Sequence, residues 1–315
     1  MNNSQTRAGF VAIIGAPNAG KSTLVNALVG EKVSIVTHKV QTTRFQVRGI
    51  AMIDNTQMVL VDTPGIFAPK DRLARSMVHA AWTGVDDADS IVHMVDAPAA
   101  WRALEGEPTS QDKLALEDTK RVIAGLNLRK HAKVYLALNK IDEISRDHLL
   151  GLIAHYQGEE IFKEIFLISA LKRDGVADLT KRLCEDMRAG PYLYPPDQAA
   201  DIPMRLMAAE MTREKLFLRL HDELPYASMV ETEKWTDKKD GSVRVDQVIY
   251  VKRASQKPIV LGKGGQTIKQ IGAQSRMEMQ EWLGCKVHLF LFVKVREKWE
   301  DNPARYLPQG LEFDV

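Results

Sequence analysis

The chain has 315 residues, 45% hydrophobic and 27% charged, with a formal net charge of +2. That is enough for two globular domains, and near-neutrality means any nucleic-acid surface has to be local. No apolar run approaches the roughly 18 residues of a membrane span. The start, Met1-Asn2-Asn3-Ser4-Gln5-Thr6-Arg7, has no signal-peptide core, and Cys184 and Cys285 lack metal-site spacing, so a cytoplasmic protein is expected.

An apolar run at residues 10–14 predicts a strand. Gly15-Ala16-Pro17-Asn18-Ala19-Gly20-Lys21-Ser22 comes next, and Ser22-Thr23-Leu24 opens a helical pattern. Strand, glycine-rich turn and helix are the context of the phosphate-binding P-loop. Its backbone N–H groups wrap a polyphosphate at a helix N-terminus. Residues 32–48 form a polar loop containing Gln41-Thr42-Thr43-Arg44. Strands are predicted over 45–52 and 57–61, joined at Asp54-Asn55, and the second ends in Asp62-Thr63-Pro64-Gly65. A helix over 73–85, a buried strand over 90–96 and a helix over 110–126 come next. A strand over 133–138 runs into Asn139-Lys140-Ile141-Asp142. A helix over 147–156, a strand over 165–168 ending in Ser169-Ala170-Leu171, and a helix over 176–187 complete the pattern. The alternation predicts an α/β fold with a doubly wound, mostly parallel sheet, whose ligands bind at the carboxyl ends of strands. Every motif just named sits at such an end.

Composition changes at Gly190-Pro191-Tyr192-Leu193-Tyr194-Pro195-Pro196-Asp197, which cannot continue a helix. The expected division is a nucleotide-binding domain over 1–189, a linker over 190–203, a second domain over 204–301 and a tail over 302–315 with little structure of its own. The second domain reads as a helix over 204–224, strands over 227–235 and 242–252 about Lys239-Asp240-Gly241, an apolar run, Gly262-Lys263-Gly264-Gly265, a helix from 266 to about 282, and a strand over 285–295.

The chemistry follows from these positions. Lys21 would reach the β- and γ-phosphates. The Ser22 hydroxyl, Asp62 (through a water) and a loop threonine, Thr43 before Thr42, would complete a Mg²⁺ shell. The Gly65 N–H would meet the γ-phosphate, so Lys21, Thr43 and Gly65 are the groups expected to act on it. The Asp142 carboxylate can accept from the ring N–H and exocyclic amine of guanine, a pair that adenine lacks. Asn139 can tie this loop to the P-loop, the Lys140 stem can lie over the base, and Ser169, Ala170 and Leu171 add backbone donors. Both polar loops lose a ligand on hydrolysis, which is the order–disorder switch of GTPases. A P-loop kinase or ATPase is the competing class, and Asp142 speaks against it.

Gly262-Lys263-Gly264-Gly265 between an apolar run and a helix fits the GXXG loop of a KH domain, which clamps about four nucleotides. Lys263 and Lys269 supply charge, and Ile259, Val260, Ile268 and Ile271 are expected to wall the groove. The pattern gains strength from its setting of helix, two strands, GXXG, helix and strand, an α+β arrangement of the type II KH kind.

The nucleotide motifs, in this order, resemble a translation-factor-related GTPase. One departure matters: Ile66 stands where many such enzymes carry a water-orienting glutamine. Asn18 resembles the P-loop asparagine of potassium-stimulated relatives, where K⁺ replaces an arginine finger. Over essentially the whole chain the sequence resembles the Era family of bacterial GTPases, supported by Gln41-Thr42-Thr43-Arg44, Asp62-Thr63-Pro64-Gly65-Ile66, Asp222-Glu223-Leu224-Pro225-Tyr226 and residues 249–272. That resemblance implies a GTP hydrolase acting in assembly of the 30S ribosomal subunit. It implies KH binding near the 3′ end of 16S ribosomal RNA, and peripheral association with the cytoplasmic side of the inner membrane. No heptad run suggests a coiled coil, and a monomer is expected. A constitutive RNA-binding assembly protein with a slowly hydrolysed nucleotide is the alternative that Ile66 keeps open.

Overall fold

The apolar run before the glycine-rich loop forms β1 (Arg7–Gly15), the strand about which the larger sheet is built. The computed structural model describes residues 5–39, 42–129, 133–221, 223–297, 299–306 and 309–315. Gln41 and Asp222 of the motifs above, and Met1-Asn2-Asn3-Ser4, lie outside the described residues. Two compact units emerge: Met1–Asp201 with Gln309–Val315, and Ile202–Pro308.

In the first unit β1 is followed by α1 (Lys21–Val29), the hairpin β2 (Val47–Ile53) and β3 (Thr56–Asp62), α2 (Arg72–Asp86), β4 (Ser90–Asp96), α3 (Ala97–Glu105), α4 (Ser110–Asn127), β5 (Val134–Asn139), α5 (Arg146–Gln157), β6 (Glu164–Ile168), α6 (Val176–Asp186), β7 (Arg188–Ala189) and β8 (Ala200–Asp201). The strands lie in the order β6-β5-β4-β1-β3-β2-β8, with β7 alongside β1. From β6 to β3 neighbours are parallel, whereas β2, β7 and β8 pair antiparallel. The two-residue period of β1 explains why both faces are covered. Val11 and Ile13 pack with Leu24 of α1 and Leu179 of α6, while Ala12 and Ile14 pack with Val85 of α2 and Val122 of α4.

Sequence reading placed no element at α3. Asp96 caps it by accepting the Ala99 N–H at 3.0 Å, and Pro98 sits in its first turn. The segment expected as a linker is pinned to the sheet. Gln57 Oε1 accepts the N–H groups of Leu193 (2.7 Å) and Tyr194 (2.9 Å), its Nε2 donates to the Tyr194 carbonyl (2.8 Å), and β8 pairs with β2. A single buried amide thus satisfies backbone groups that the prolines prevent from pairing as a ladder.

The second unit contains α7 (Met204–Arg219), β9 (Ser228–Asp237), β10 (Val243–Val251), α8 (Gln256–Leu261), α9 (Gln266–Leu283) and β11 (Val287–Val295). Its sheet order is β11-β10-β9; β9 is antiparallel and β11 parallel to β10. Leu216 of α7, Ile271 of α9 and Ile249 and Val293 of the sheet share a buried core. Helix α7 stops five residues before the expected 224, at Arg219. Among the described residues, those after β11, where a tail with little structure of its own is expected from 302 on, pack onto the second unit as far as Tyr306. Trp299 and Tyr306 are buried, Trp299 Nε1 donates to the Ala227 carbonyl at 3.1 Å, and Arg305 stacks on Tyr250 at 4.4 Å. Gln309–Val315 belongs with the first unit. Among the described residues no helix is long and apolar enough to cross a membrane.

Candidate functional site

The carboxyl ends of β1, β3, β5 and β6 open on a cleft of about 370 Å³, lined among others by Pro17, Lys21, Ser22, Thr43, Gly65 and Asp142. Gly20, at φ 98°, lets the loop close: a Cβ there would stand 2.1 Å from Asn139 Nδ2. Asn139 ties the cleft together. Its Nδ2 donates to the Ala19 carbonyl at 2.8 Å, and its Oδ1 accepts the Ala170 N–H at 2.9 Å. One buried side chain therefore fixes the P-loop and the Ser169-Ala170 turn in one frame.

Lys21 is buried, and its Nζ donates to the carbonyls of Gly15 (3.2 Å) and Ala16 (2.9 Å). Burial lowers its pKa to about 8, against the opposing pull of Asp62. Ser22 Oγ lies 2.9 Å from Thr43 Oγ1 and donates to Asp62 Oδ2 at 2.7 Å. Thr42 is engaged within its own loop, where it donates to the Lys39 carbonyl at 2.8 Å and lies 2.6 Å from Thr37 Oγ1. Thr43, not Thr42, thus shares the Ser22–Asp62 cluster. The second carboxylate oxygen, Asp62 Oδ1, is buried with no hydrogen-bond partner among the described residues. Burial pushes the Asp62 pKa up, and hydrogen bonds from Ser34 and Ser22 oppose the shift. An orphaned carboxylate oxygen beside two hydroxyls fits a hard divalent cation such as Mg²⁺. Among the described residues no cluster of His, Cys, Asp and Glu could hold a metal by itself, so phosphate and water oxygens would have to complete the shell.

The other expected residues take distinct places. Gly15, Ala16, Ala19, Thr63 and Pro64 are buried behind the cleft, where Thr63 Oγ1 donates to the Ile13 carbonyl at 2.8 Å. Asn18, at φ 64°, donates to the His38 carbonyl at 3.0 Å. Thr23 lines the cleft, as does Leu171, which is exposed. Lys140 pairs with Asp96. Asp142 lies exposed at the rim of the cleft, in a short 3-10 turn over Ile141–Glu143. Ile66 is fully buried with Ile14 and Val85, facing away from the cleft.

Sequence reasoning missed Ser34, Asn26 and Asp96. Ser34 Oγ donates to Asp62 Oδ2 at 2.6 Å. Asn26 Oδ1 accepts the N–H groups of Val33 and Ser34, both at 2.9 Å, and its Nδ2 donates to the Ser34 carbonyl at 2.8 Å. An asparagine inside a helix is a weak signal for such a role, since it favours bonding to nearby backbone.

In the second unit the GXXG loop joins α8 to α9. Gly262, at φ 75° and ψ 171°, fits only glycine, because a Cβ would stand 2.1 Å from Thr267 Oγ1. Gly264 and Gly265 also have positive φ but face open space. Lys263, Lys269 and Ile259 are exposed, and Ile268 is partly buried. Val260 and Ile271 are fully buried core residues and do not wall a groove. Neighbours on a helix point about 100° apart, so Ile259 and Val260 cannot both face out.

These features define a P-loop GTPase fold joined to a KH domain. A family model described as a 50S ribosome-binding GTPase matches residues 10–140, and a KH domain model matches residues 223–300. The chain is 56% identical over 315 residues to the GTPase Era of Maricaulis maris (strain MCS10), covering 100% of each. It is 54% identical over 312 residues to that of Caulobacter vibrioides (strain NA1000 / CB15N), covering 99% of this chain and 98% of the relative. A crystal structure of Era in complex with MgGDPNP and nucleotides 1506–1542 of 16S ribosomal RNA matches with a TM-score of 0.85 and 36% identity, covering 97% of this chain and 99% of that one. The chain belongs to the Era family of GTPases.

Proposed function

We propose that this GTPase binds 16S ribosomal RNA near its 3′ end through the KH domain and serves as a nucleotide-controlled switch in 30S subunit assembly. The convergence of Ser22, Thr43 and Asp62 beside Lys21 carries the reading, since it joins the P-loop to both polar loops at the position a Mg²⁺–triphosphate would take. The solved Era complex, which holds both MgGDPNP and a 16S fragment, supports the pairing of the two activities.

In this reading the protonated Lys21 turns from its P-loop carbonyls to the β- and γ-phosphates. Ser22, Thr43 and Asp62 hold Mg²⁺, which neutralises phosphate charge when bound. Asp142 accepts from guanine and becomes desolvated only when the base covers it. Gly65 presents its N–H to the γ-phosphate, and loss of that phosphate frees residues 42–43 and 63–67 together. Lys263, Gly264, Gly265, Lys269 and Ile259 meet the RNA, with Gly262 shaping the turn. RNA affinity should differ between the GTP-analogue and GDP states; equal affinity in both defeats the switch. Asp142→Asn should shift preference from guanine toward xanthine.

Because Ile66 faces the core, the attacking water has to be oriented by another group. Asn18, fixed on the cleft wall by its bond to the loop carbonyl of His38, is our choice for a K⁺ site. Equal turnover in KCl and NaCl removes it. The same burial of Ile66 favours the second reading, a constitutive RNA-binding protein with a slowly hydrolysed nucleotide. Multiple-turnover phosphate release with and without RNA separates the two. Peripheral attachment to the inner membrane rests on the family resemblance alone, and vesicle flotation tests it. The monomer is tested by scattering in solution.

A further inference from the structure

Helix α2 begins a few residues beyond Gly65 and has two working faces. On its inner face Ala74 and Met77 pack with Phe67, a residue of the loop that carries Gly65. A shift of that loop therefore reaches α2 through direct apolar contact. The outer face presents Arg72, Arg75 and His79, spaced three and four residues apart and so aligned on one side. Against it lies the segment Gln309–Val315. Leu311 is buried, Arg72 stacks over the Phe313 ring at 4.2 Å and stands 3.9 Å from Asp314, and His79 is 3.4 Å from Glu312. Arg75 Nε donates to the Val315 carbonyl at 3.2 Å.

We propose that the outer face of α2 is a binding site for an acidic, aromatic segment, that the chain's own residues 309–315 are its occupant, and that occupancy follows the nucleotide state. The chemistry is complementary on every point: cationic helix face, anionic Glu312 and Asp314, and an aromatic ring under a guanidinium. The Arg72–Asp314 ion pair is solvent-exposed and so individually weak, and the docking is reversible rather than a fixed part of the core. We assign the docked form to the GTP-bound state, because Thr43, the loop's proposed Mg²⁺ ligand, already lies against Ser22 and Asp62 here, although Lys21 still holds its own P-loop carbonyls. The inference rests on the switch reading above and adds to it an element that reads α2.

The test places a fluorophore on Gln309→Cys in a full-length protein with Cys184→Ala and Cys285→Ala, and follows its anisotropy. With a non-hydrolysable GTP analogue the label should be immobilised, and with GDP it should fall to the value of an Arg72→Glu/Arg75→Glu variant. Adding Glu312→Lys/Asp314→Lys to that variant should restore immobilisation. Equal anisotropy in both nucleotides, with nucleotide binding intact by a fluorescent analogue, overturns the nucleotide dependence and leaves the GTP site standing. No change on charge reversal, which can be read without nucleotide, overturns the docking itself.

Discussion

Ser34 donates its hydroxyl to Asp62 Oδ2 at 2.6 Å from a loop that Asn26 clamps from both sides. The bond leaves Oδ1 as the free oxygen of a buried carboxylate. Ser34 is thus a positioning residue for the proposed metal ligand. A hydrogen bond to a charged group contributes about 1.5–3 kcal/mol. Ser34→Ala should therefore raise the Mg²⁺ concentration needed to retain GTP by about tenfold or more. Nucleotide dissociation measured against Mg²⁺ checks this, and an unchanged Mg²⁺ dependence defeats it.

Lys21 has its pKa lowered to about 8 by burial in the nucleotide-free protein, and a bound polyphosphate requires its ammonium form. Above that pH, binding has to take up a proton, so GTP affinity should fall as pH rises, by at most about tenfold per unit. Titration calorimetry in buffers of different ionisation enthalpy should reveal the uptake. Constant affinity between about pH 7 and 9 would contradict it.

His93 is fully buried on β4 with neither ring nitrogen hydrogen-bonded among the described residues, and burial lowers its pKa from 6.5 to about 3. The unfolded chain protonates as pH falls through 6.5, while the native protein stays neutral until about 3. Native stability is therefore lost across that window on acidification, by up to about 1.4 kcal/mol per pH unit for this one group. His93→Leu should flatten the acid side of the stability profile, measured by urea unfolding at several pH values. A slope identical to that of the parent would refute the assignment.

Two glycines of one loop should behave differently. Gly264 faces open space, whereas a Cβ at Gly262 collides with Thr267. Gly264→Asp should weaken RNA binding with GTP turnover and melting temperature near normal, since aspartate tolerates the left-handed region. Gly262→Ala should lower the melting temperature of the KH unit. If Gly264→Asp unfolds that unit, its proposed RNA role loses this support.

The legible parts of the molecule are those where periodicity and a motif coincide. The alternation of Val11 and Ile13 against Ala12 and Ile14 announces a doubly covered strand, and Gly15 to Ser22 announces a phosphate loop and helix α1. Less is visible where one polar residue decides a tertiary contact. Nothing local to Gln57 foretells that it holds Leu193 and Tyr194, and nothing in Thr42-Thr43 says which hydroxyl turns inward. The helix at Ala97–Glu105 is short and depends on the Asp96 cap, so apolar period alone does not reveal it. Val260 is expected in the groove but lies in the core, because an apolar run on a six-residue helix has an inside and an outside that composition does not separate.

In the proposed reading, the burial of Ile66 makes slow intrinsic hydrolysis a property of the core. A glutamine at that position would first have to bring an amide into the apolar layer between β1 and α2, at a cost of about 1–3 kcal/mol. It would still point away from the cleft unless residues 63–67 refolded. Ile66→Gln alone is therefore expected to leave turnover slow, as phosphate release would show. In that reading turnover waits on a group that reaches the cleft from outside, which would tie the lifetime of the GTP state to an encounter rather than to an internal rate.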